Sequence, residues 1–260
     1  MSKKNGTILY KCSNCGYAQP RWLGKCPGCG EWNTLEECII DSNKSSSLTR
    51  SNNLQEKNKP VELSGIVSQD SSRYMTGIPE FDRVLGNGAT KRSAILLGGE
   101  PGIGKSTLLL QTASNVAKGF GKNGKVLYIS GEESGGQIKE RAERLELDVT
   151  GIKLLCTMRL EDCLDALDSI NPLFVIIDSI QTIYSAEAGL VPGTINQLKY
   201  CANEFISWVK ERDSVLIMTA HVTKDGNIAG PKSMEHMVDT VISLERNDED
   251  IRFLHTPTKR

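Results

Sequence analysis

Gly99-Glu100-Pro101-Gly102-Ile103-Gly104-Lys105-Ser106 is the stretch whose reading decides the fold. It satisfies the Walker A pattern in full. A short apolar strand, Ala94–Gly98, precedes it, and helical spacing runs from Lys105 to Lys118 behind it. The residue types suit phosphate chemistry. Gly99, Gly102 and Gly104 let the backbone turn its N–H groups inward, with Glu100, Pro101 and Ile103 completing the loop. The following helix directs its positive end at the same place. Lys105 can place an ammonium between terminal phosphates, Ser106 can offer its hydroxyl to Mg²⁺, and Thr107 caps or lines the site. ATP and Mg²⁺ are the ligands expected. A glycine-rich turn without a ligand is the competing reading, and the complete pattern in a strand–loop–helix setting weighs against it.

Working outward, apolar strands alternate with amphipathic helices from Arg73 onward. Strands are expected at Val126–Ser130, Lys153–Cys156, Leu173–Asp178 and Val215–Ala220, with helices near Gln137–Leu147, Leu160–Ile170 and Thr194–Arg212. Thr194 and Gln197 fit a capping box at the start of the last helix. Val238–Leu244 and Ile251–Leu254 read as a late antiparallel extension. The fold class is therefore α/β, a mainly parallel sheet covered on both faces.

Three positions around the loop carry candidate chemistry. Phe174-Val175-Ile176-Ile177-Asp178 is an apolar strand ending in an acid, the Walker B form, and Asp178 can support the Mg²⁺ shell. Many buried strands end in Asp, so the signal gains its weight from the Walker A stretch upstream. Glu132 follows the second strand and is the expected general base, with Glu133 as the alternative. Both acids also suit the first turn of the next helix, which is the competing structural reading. His221, one of three histidines, ends Met218-Thr219-Ala220-His221 and is placed to touch a γ-phosphate, or else is an ordinary loop histidine.

The N-terminus is a different kind of sequence. Cys12-Ser13-Asn14-Cys15 and Cys26-Pro27-Gly28-Cys29 are two C-x-x-C pairs separated by ten residues, and they hold four of the eight cysteines. Two such knuckles complete a tetrahedral four-sulfur site, with Zn²⁺ the expected metal in a closed, structural role. Gly16 and Gly30 allow the knuckle turns. Trp22 and Trp32 frame the second pair, and packing over the knuckles is favoured over base stacking. The organisation expected is a zinc-binding module at 1–36, a flexible Ser-, Asn- and Lys-rich linker at 37–72 and an ATPase domain at 73–260. The formal net charge of −1 removes the simplest sign of a nucleic-acid binder. Any such contact falls to local patches, for example Lys3, Lys4, Lys11, Arg21 and Lys25. No apolar run reaches membrane length and no secretion signal opens the chain, so no membrane partner and a cytoplasmic location are expected.

Taken together, these motifs resemble the bacterial RadA/Sms DNA-repair family. The likeness lies in Tyr10–Trp32, Thr76–Gly86, Leu97–Gln111, Ser130–Ser134, Ile177–Thr182, His221–Gly226 and Pro231–Val241. The resemblance implies a RecA-like core similar to DnaB-type helicases, assembled as a hexameric ring. It implies a DNA-dependent ATPase that processes recombination intermediates by branch migration, with single-stranded and branched DNA as partners and a recombinase as a possible one. On this analogy Lys105 and Ser106 bind phosphates and Mg²⁺, Glu132 activates water and Asp178 supports the metal. The segment from Gln181 to Gly193 is a candidate mobile loop on the ring interior, where such loops would hold DNA backbone, or else an ordinary surface loop.

Two departures qualify that implication. The family carries a Lys-Asn-Arg-Phe-Gly motif directed at the neighbouring subunit's nucleotide. Here Pro257-Thr258-Lys259-Arg260 stands at that place, with Arg260 matching the arginine. The family's Lon-protease-like C-terminal domain is not in this sequence, so the chain is expected to be either a fragment or a version that has lost ring-scaffold functions. An ATP-dependent conformational switch or protein-binding module with little turnover is the alternative function.

Overall fold

The computed structural model describes residues 7–14, 17–19, 21–27, 29–40, 62, 64, 73–121, 125–189, 194–221 and 234–259. The chain divides into two compact units, Met1–Asp70 and Ser71–Arg260.

The first unit is a three-stranded antiparallel sheet of β1 (Thr7–Cys12), β2 (Ala18–Gln19) and β3 (Leu35–Ile40), with β1 in the centre. The β1–β3 ladder continues to Ile40, past the boundary expected at residue 36, because Thr7 pairs with Ile40 at its far end. Among the described residues the core of this unit is Cys12, Cys26 and Leu35, with Tyr10 packed against it. Most of the expected linker lies outside the described residues.

In the second unit, a short ladder joins β4 (Arg73–Tyr74) and β5 (Ala89–Thr90). The main sheet holds β6 (Ser93–Gly99), β7 (Val126–Ser130), β8 (Ile152–Cys156), β9 (Phe174–Asp178), β10 (Val215–His221), β11 (Thr240–Arg246) and β12 (Arg252–Lys259). Their order is β12-β11-β6-β10-β9-β7-β8. All neighbours run parallel except the last pair, β11 and β12, which supply the expected antiparallel extension.

Side-chain alternation along the strands builds two cores. Ala94, Leu96, Leu127, Ile129, Val175, Ile177, Leu216 and Met218 face α4 (Leu160–Ile170) and α5 (Ile195–Lys210). Their neighbours Ile95, Leu97, Val126, Tyr128, Phe174, Ile176, Val215 and Ile217 face α1 (Pro79–Leu85), α2 (Lys105–Phe120) and α3 (Gly135–Arg144). Strands buried on both faces explain the continuous apolar runs in the sequence.

Helix ends differ from the periodicity reading in identifiable ways. α1, which that reading does not assign, starts with Pro79 and ends at Gly86, whose φ of 74° gives a left-handed cap. At α5 the Thr194 side chain accepts from Gln197 N, but the Gln197 side-chain amide donates to Ser185 O at 2.8 Å, so the expected reciprocal box is only half made. The full capping box sits at α3, between Ser134 and Gln137, and moves that helix start to Gly135.

Phe205 on α5 is fully buried and Tyr200 on the same helix is exposed. Phe205→Ala is expected to destabilise the second unit by about 3–5 kcal/mol, and Tyr200→Ala by less than about 0.5 kcal/mol, in urea unfolding.

Candidate functional site

The parallel strands bring their C-terminal ends to one edge. The register sets Gly99 of β6 beside His221 of β10, and Ser130 of β7 beside Asp178 of β9. Ligands in open α/β sheets bind outside such ends, where successive connections leave to opposite faces. Here β6 leads through α2 across to β7, and its spatial neighbours β10 and β11 come from later in the chain.

The loop after β6 is shaped for an anion. Gly102 and Gly104 have φ values of 78° and 114°, backbone that favours glycine. Gly104 is the N-cap of α2 and no side chain caps that helix, so its first N–H groups are left for a ligand. A Cβ on Gly99 would lie 2.8 Å from Leu244 O, so glycine is needed there to let β11 approach.

Lys105 is 5% exposed, and its ammonium donates to Gly99 O at 2.8 Å and Glu100 O at 3.0 Å. It also stands 3.3 Å from His221 Nδ1. His221 Nε2 lies 3.0 Å from Glu132 Oε1. An imidazole protonated on Nε2 satisfies both contacts, accepting from the lysine and donating to the carboxylate. Ser179 Oγ donates to the same Glu132 oxygen. Burial pushes the Lys105 ammonium below its usual pKa, with Asp178 and Glu132 opposing the shift incompletely. Burial also acts to raise Glu132, but hydrogen bonds from Ser179 and His221 and the charge of Lys105 outweigh it, holding the carboxyl below its ordinary value.

Asp178 is buried with both oxygens occupied by neutral hydroxyls: Tyr128 donates to Oδ2 at 2.8 Å and Thr219 to Oδ1 at 2.7 Å. Burial first, and then the Asp178 charge, raises the Tyr128 pKa well above its usual value, so the phenol stays a donor. The peptide bond from Asp178 to Ser179 is cis. A 3-10 turn, Ile180–Thr182, follows. In it the Gln181 side chain accepts from His221 N at 3.0 Å and donates to His221 O at 3.4 Å.

The structure therefore brings Lys105, Glu132, Asp178 and His221 to one end of the sheet. It sends Glu133 elsewhere, onto Arg141 of α3 through two contacts of 2.5 and 2.6 Å. Ser106 and Thr107 occupy the first turn of α2, half-buried. Sequence reasoning gave no role to Tyr128, Ser179, Gln181 or Thr219. A hydroxyl inside the apolar strands at Tyr128 and Thr219 was the available signal. Of the candidate mobile loop, residues 190–193 lie outside the described residues; its first part is held by Gln181 and by the Arg159–Tyr184 bridge.

Among the cysteines, Cys12, Cys26 and Cys29 bring their sulfurs within 4.8 Å of one another, and Cys12 and Cys29 are 3.7 Å apart. That is too long for a disulfide, near 2.05 Å. It fits the edge of a tetrahedron with metal–sulfur bonds of about 2.3 Å, which is about 3.8 Å. Gly30, with φ of 77°, donates to Cys26 O at 2.8 Å and closes the second knuckle. Cys15 and Gly16 lie outside the described residues. Trp22 and Trp32 depart from the packing expected of them: they are 54% and 67% exposed and flank Gly24.

Two outcomes test this geometry. A Cβ on Gly131 would lie 2.0 Å from Thr182 Oγ1, so Gly131→Ala is expected to cost about 1–3 kcal/mol. Thr182→Ala should return part of that loss in a double-mutant cycle of thermal unfolding. Chelation of the metal is expected to unfold the first unit, red-shifting and quenching Trp22 and Trp32 emission, with urea unfolding of the second unit unchanged.

Comparison with known proteins agrees with both units. The family described as AAA domain matches residues 58–227, and the family described as Rubredoxin metal binding domain matches residues 10–37. DNA repair protein RadA of Treponema pallidum is 58% identical over all of this chain and 55% of its own length. DNA repair protein RadA of Bacillus subtilis is 43% identical over 90% of this chain and 51% of its own. The chain thus spans about half the length of these curated relatives. Among solved structures, a KaiC-like protein of Pyrococcus horikoshii superposes with a TM-score of 0.60 at 20% identity, covering 74% of this chain and 90% of that one, a likeness of fold. A P-loop at the switch point of a parallel sheet, a metal-binding ribbon ahead of it and these relatives together show that the chain belongs to the AAA-domain family, as a relative of the DNA repair protein RadA.

Proposed function

We propose that this chain binds and hydrolyses ATP in the service of DNA repair. The observation that carries the reading is the continuous contact from Lys105 through His221 to Glu132 beside the uncapped start of α2. In this reading Ser106, through its hydroxyl, and Asp178, through bound water, would hold Mg²⁺, which would supply neutralisation of phosphate charge. The residues fit that role, because Tyr128 and Thr219 hold the Asp178 carboxylate in one orientation.

Lys105 exchanges its carbonyl contacts for phosphate oxygens, and the loop amides bind the remaining ones. Glu132 acts as the general base that orients the attacking water. It is ionised at neutral pH, since its pKa lies below the usual carboxylate value. His221 bridges the lysine and the base, and so senses the terminal phosphate. DNA as partner, branch migration of recombination intermediates, a ring-shaped homo-oligomer and a finger from Arg260 rest on the resemblance to RadA. Zn²⁺ is the metal that the Cys12, Cys26 and Cys29 geometry favours, with Cys15 as fourth ligand.

The test is ATP turnover by the purified chain with and without single-stranded DNA. Lys105→Ala is expected to abolish turnover, and Glu132→Gln to lower kcat by about 10²- to 10⁴-fold while nucleotide binding persists. DNA stimulation that vanishes in Lys105→Ala supports the repair ATPase. Tight ATP binding with no turnover in either condition sinks hydrolysis and leaves a nucleotide-dependent switch.

A further inference from the structure

Arg252 opens β12, and its Cα stands opposite Arg246 of β11. β11 lies directly on the P-loop strand, pairing Leu244 with Gly99. This hairpin carries Arg252 back to the phosphate loop: its Nη1 lies 3.5 Å from where a Cβ on Gly104 would sit. Gly104 is the N-cap of α2, next to Lys105.

The placement gathers positive charge at the loop, with Asp178 and Glu132 acting on Lys105 against it. The start of a 16-residue helix carries partial positive charge, and the Lys105 ammonium adds a full one. A guanidinium added beside them meets like charge. Arg246 across the hairpin has a carboxylate, Asp250, at 3.2 Å. Arg252 is exposed and makes no ion pair among the described residues. Three positive groups gathered around one loop become favourable when a polyanion stands among them.

We propose that Arg252 is a nucleotide-binding residue acting within its own chain, its guanidinium donating to the polyphosphate of a nucleotide seated on the P-loop. The inference rests on the P-loop reading given above. The planar donor fork suits phosphate oxygens and loses its bidentate geometry on replacement by lysine. ATP and ADP share the contact, because Gly104 lies at the loop itself.

The experiment is titration of the full chain with a fluorescent N-methylanthraniloyl-ADP, using Arg252→Ala, Arg252→Lys and, as a control at an exposed arginine, Arg83→Ala. Arg252→Ala is expected to weaken binding about tenfold, the loss of roughly one charge-assisted contact. Arg252→Lys recovers part of that loss, and Arg83→Ala binds like the unaltered chain. The thermal midpoint without nucleotide stays constant, since Arg252 is exposed. Unchanged affinity in Arg252→Ala overturns the assignment. So does a variant that keeps its ADP affinity but loses affinity for an oligothymidylate, which would give the cation to a DNA backbone. If the unaltered chain binds no ADP, the P-loop reading itself falls and takes this one with it.

Discussion

A buried ammonium must be surrounded by oxygen or nitrogen acceptors, and the second unit is organised around one. Lys105 is 5% exposed, in a setting where an unpartnered charge is strongly disfavoured. Its acceptors come from Gly99, Glu100 and His221, on two strands that are distant in sequence and adjacent in space. The register of β6 against β10 makes this possible. A slip of one residue would turn His221 to the other face of the sheet and remove the third acceptor. The side chains that these strands send alternately into the two cores hold the register, and so bear on whether the lysine is satisfied. A phosphate offers the same ammonium stronger acceptors than the carbonyls do, which makes the loop receptive without further rearrangement of the sheet.

The parts of this arrangement that were legible in the sequence are local ones. A Walker A stretch contains its own turn glycines and its own helix start, and Asp178 announces itself by ending an apolar strand. The strand centres follow from short continuous apolar runs and the helix centres from the 3.6-residue period. What was not legible depends on pairing across the sheet. Nothing near Tyr128 says that its hydroxyl meets a carboxylate fifty residues away, and nothing near Arg252 says that it returns to Gly104. The same holds for α1, whose seven residues are too short for a helical period, though Pro79 and Gly86 bracket it. Trp22 and Trp32 were misread for another reason. Among the described residues the core of that unit is Cys12, Cys26 and Leu35, and the two indoles lie outside it.

That small core separates the two units physically. The second unit buries complete strand faces against helices on both sides, and burial of this extent supports a fold by itself. The first buries Cys12, Cys26 and Leu35, of which two are thiols converging on a third. Apolar area on this scale falls well short of the conformational entropy of ordering the strands and knuckles. Metal–thiolate bonds at this cluster would supply the difference, and the 3.7 Å between the Cys12 and Cys29 sulfurs fits a tetrahedral edge rather than a disulfide.

The choice between Glu132 and Glu133 shows how much turns on one local bond. Ser130, at the end of β7, accepts from Glu133 N at 3.0 Å and donates to Glu133 O at 2.9 Å. This folds the chain tightly after the strand and turns the two acids apart. Glu133 is drawn back along α3, where the Arg141 guanidinium engages both of its oxygens. A carboxylate whose charge is matched by one guanidinium on both oxygens has little left to draw a water molecule. Glu132 is held through Oε1 alone, by Ser179 and His221, and its side chain remains 39% exposed. Its Oε2 has no partner among the described residues. An oriented carboxylate with one anchored oxygen and one open to solvent is what activation of water requires, so the geometry separates adjacent residues of the same type into a brace, Glu133, and one fit for the base proposed above, Glu132.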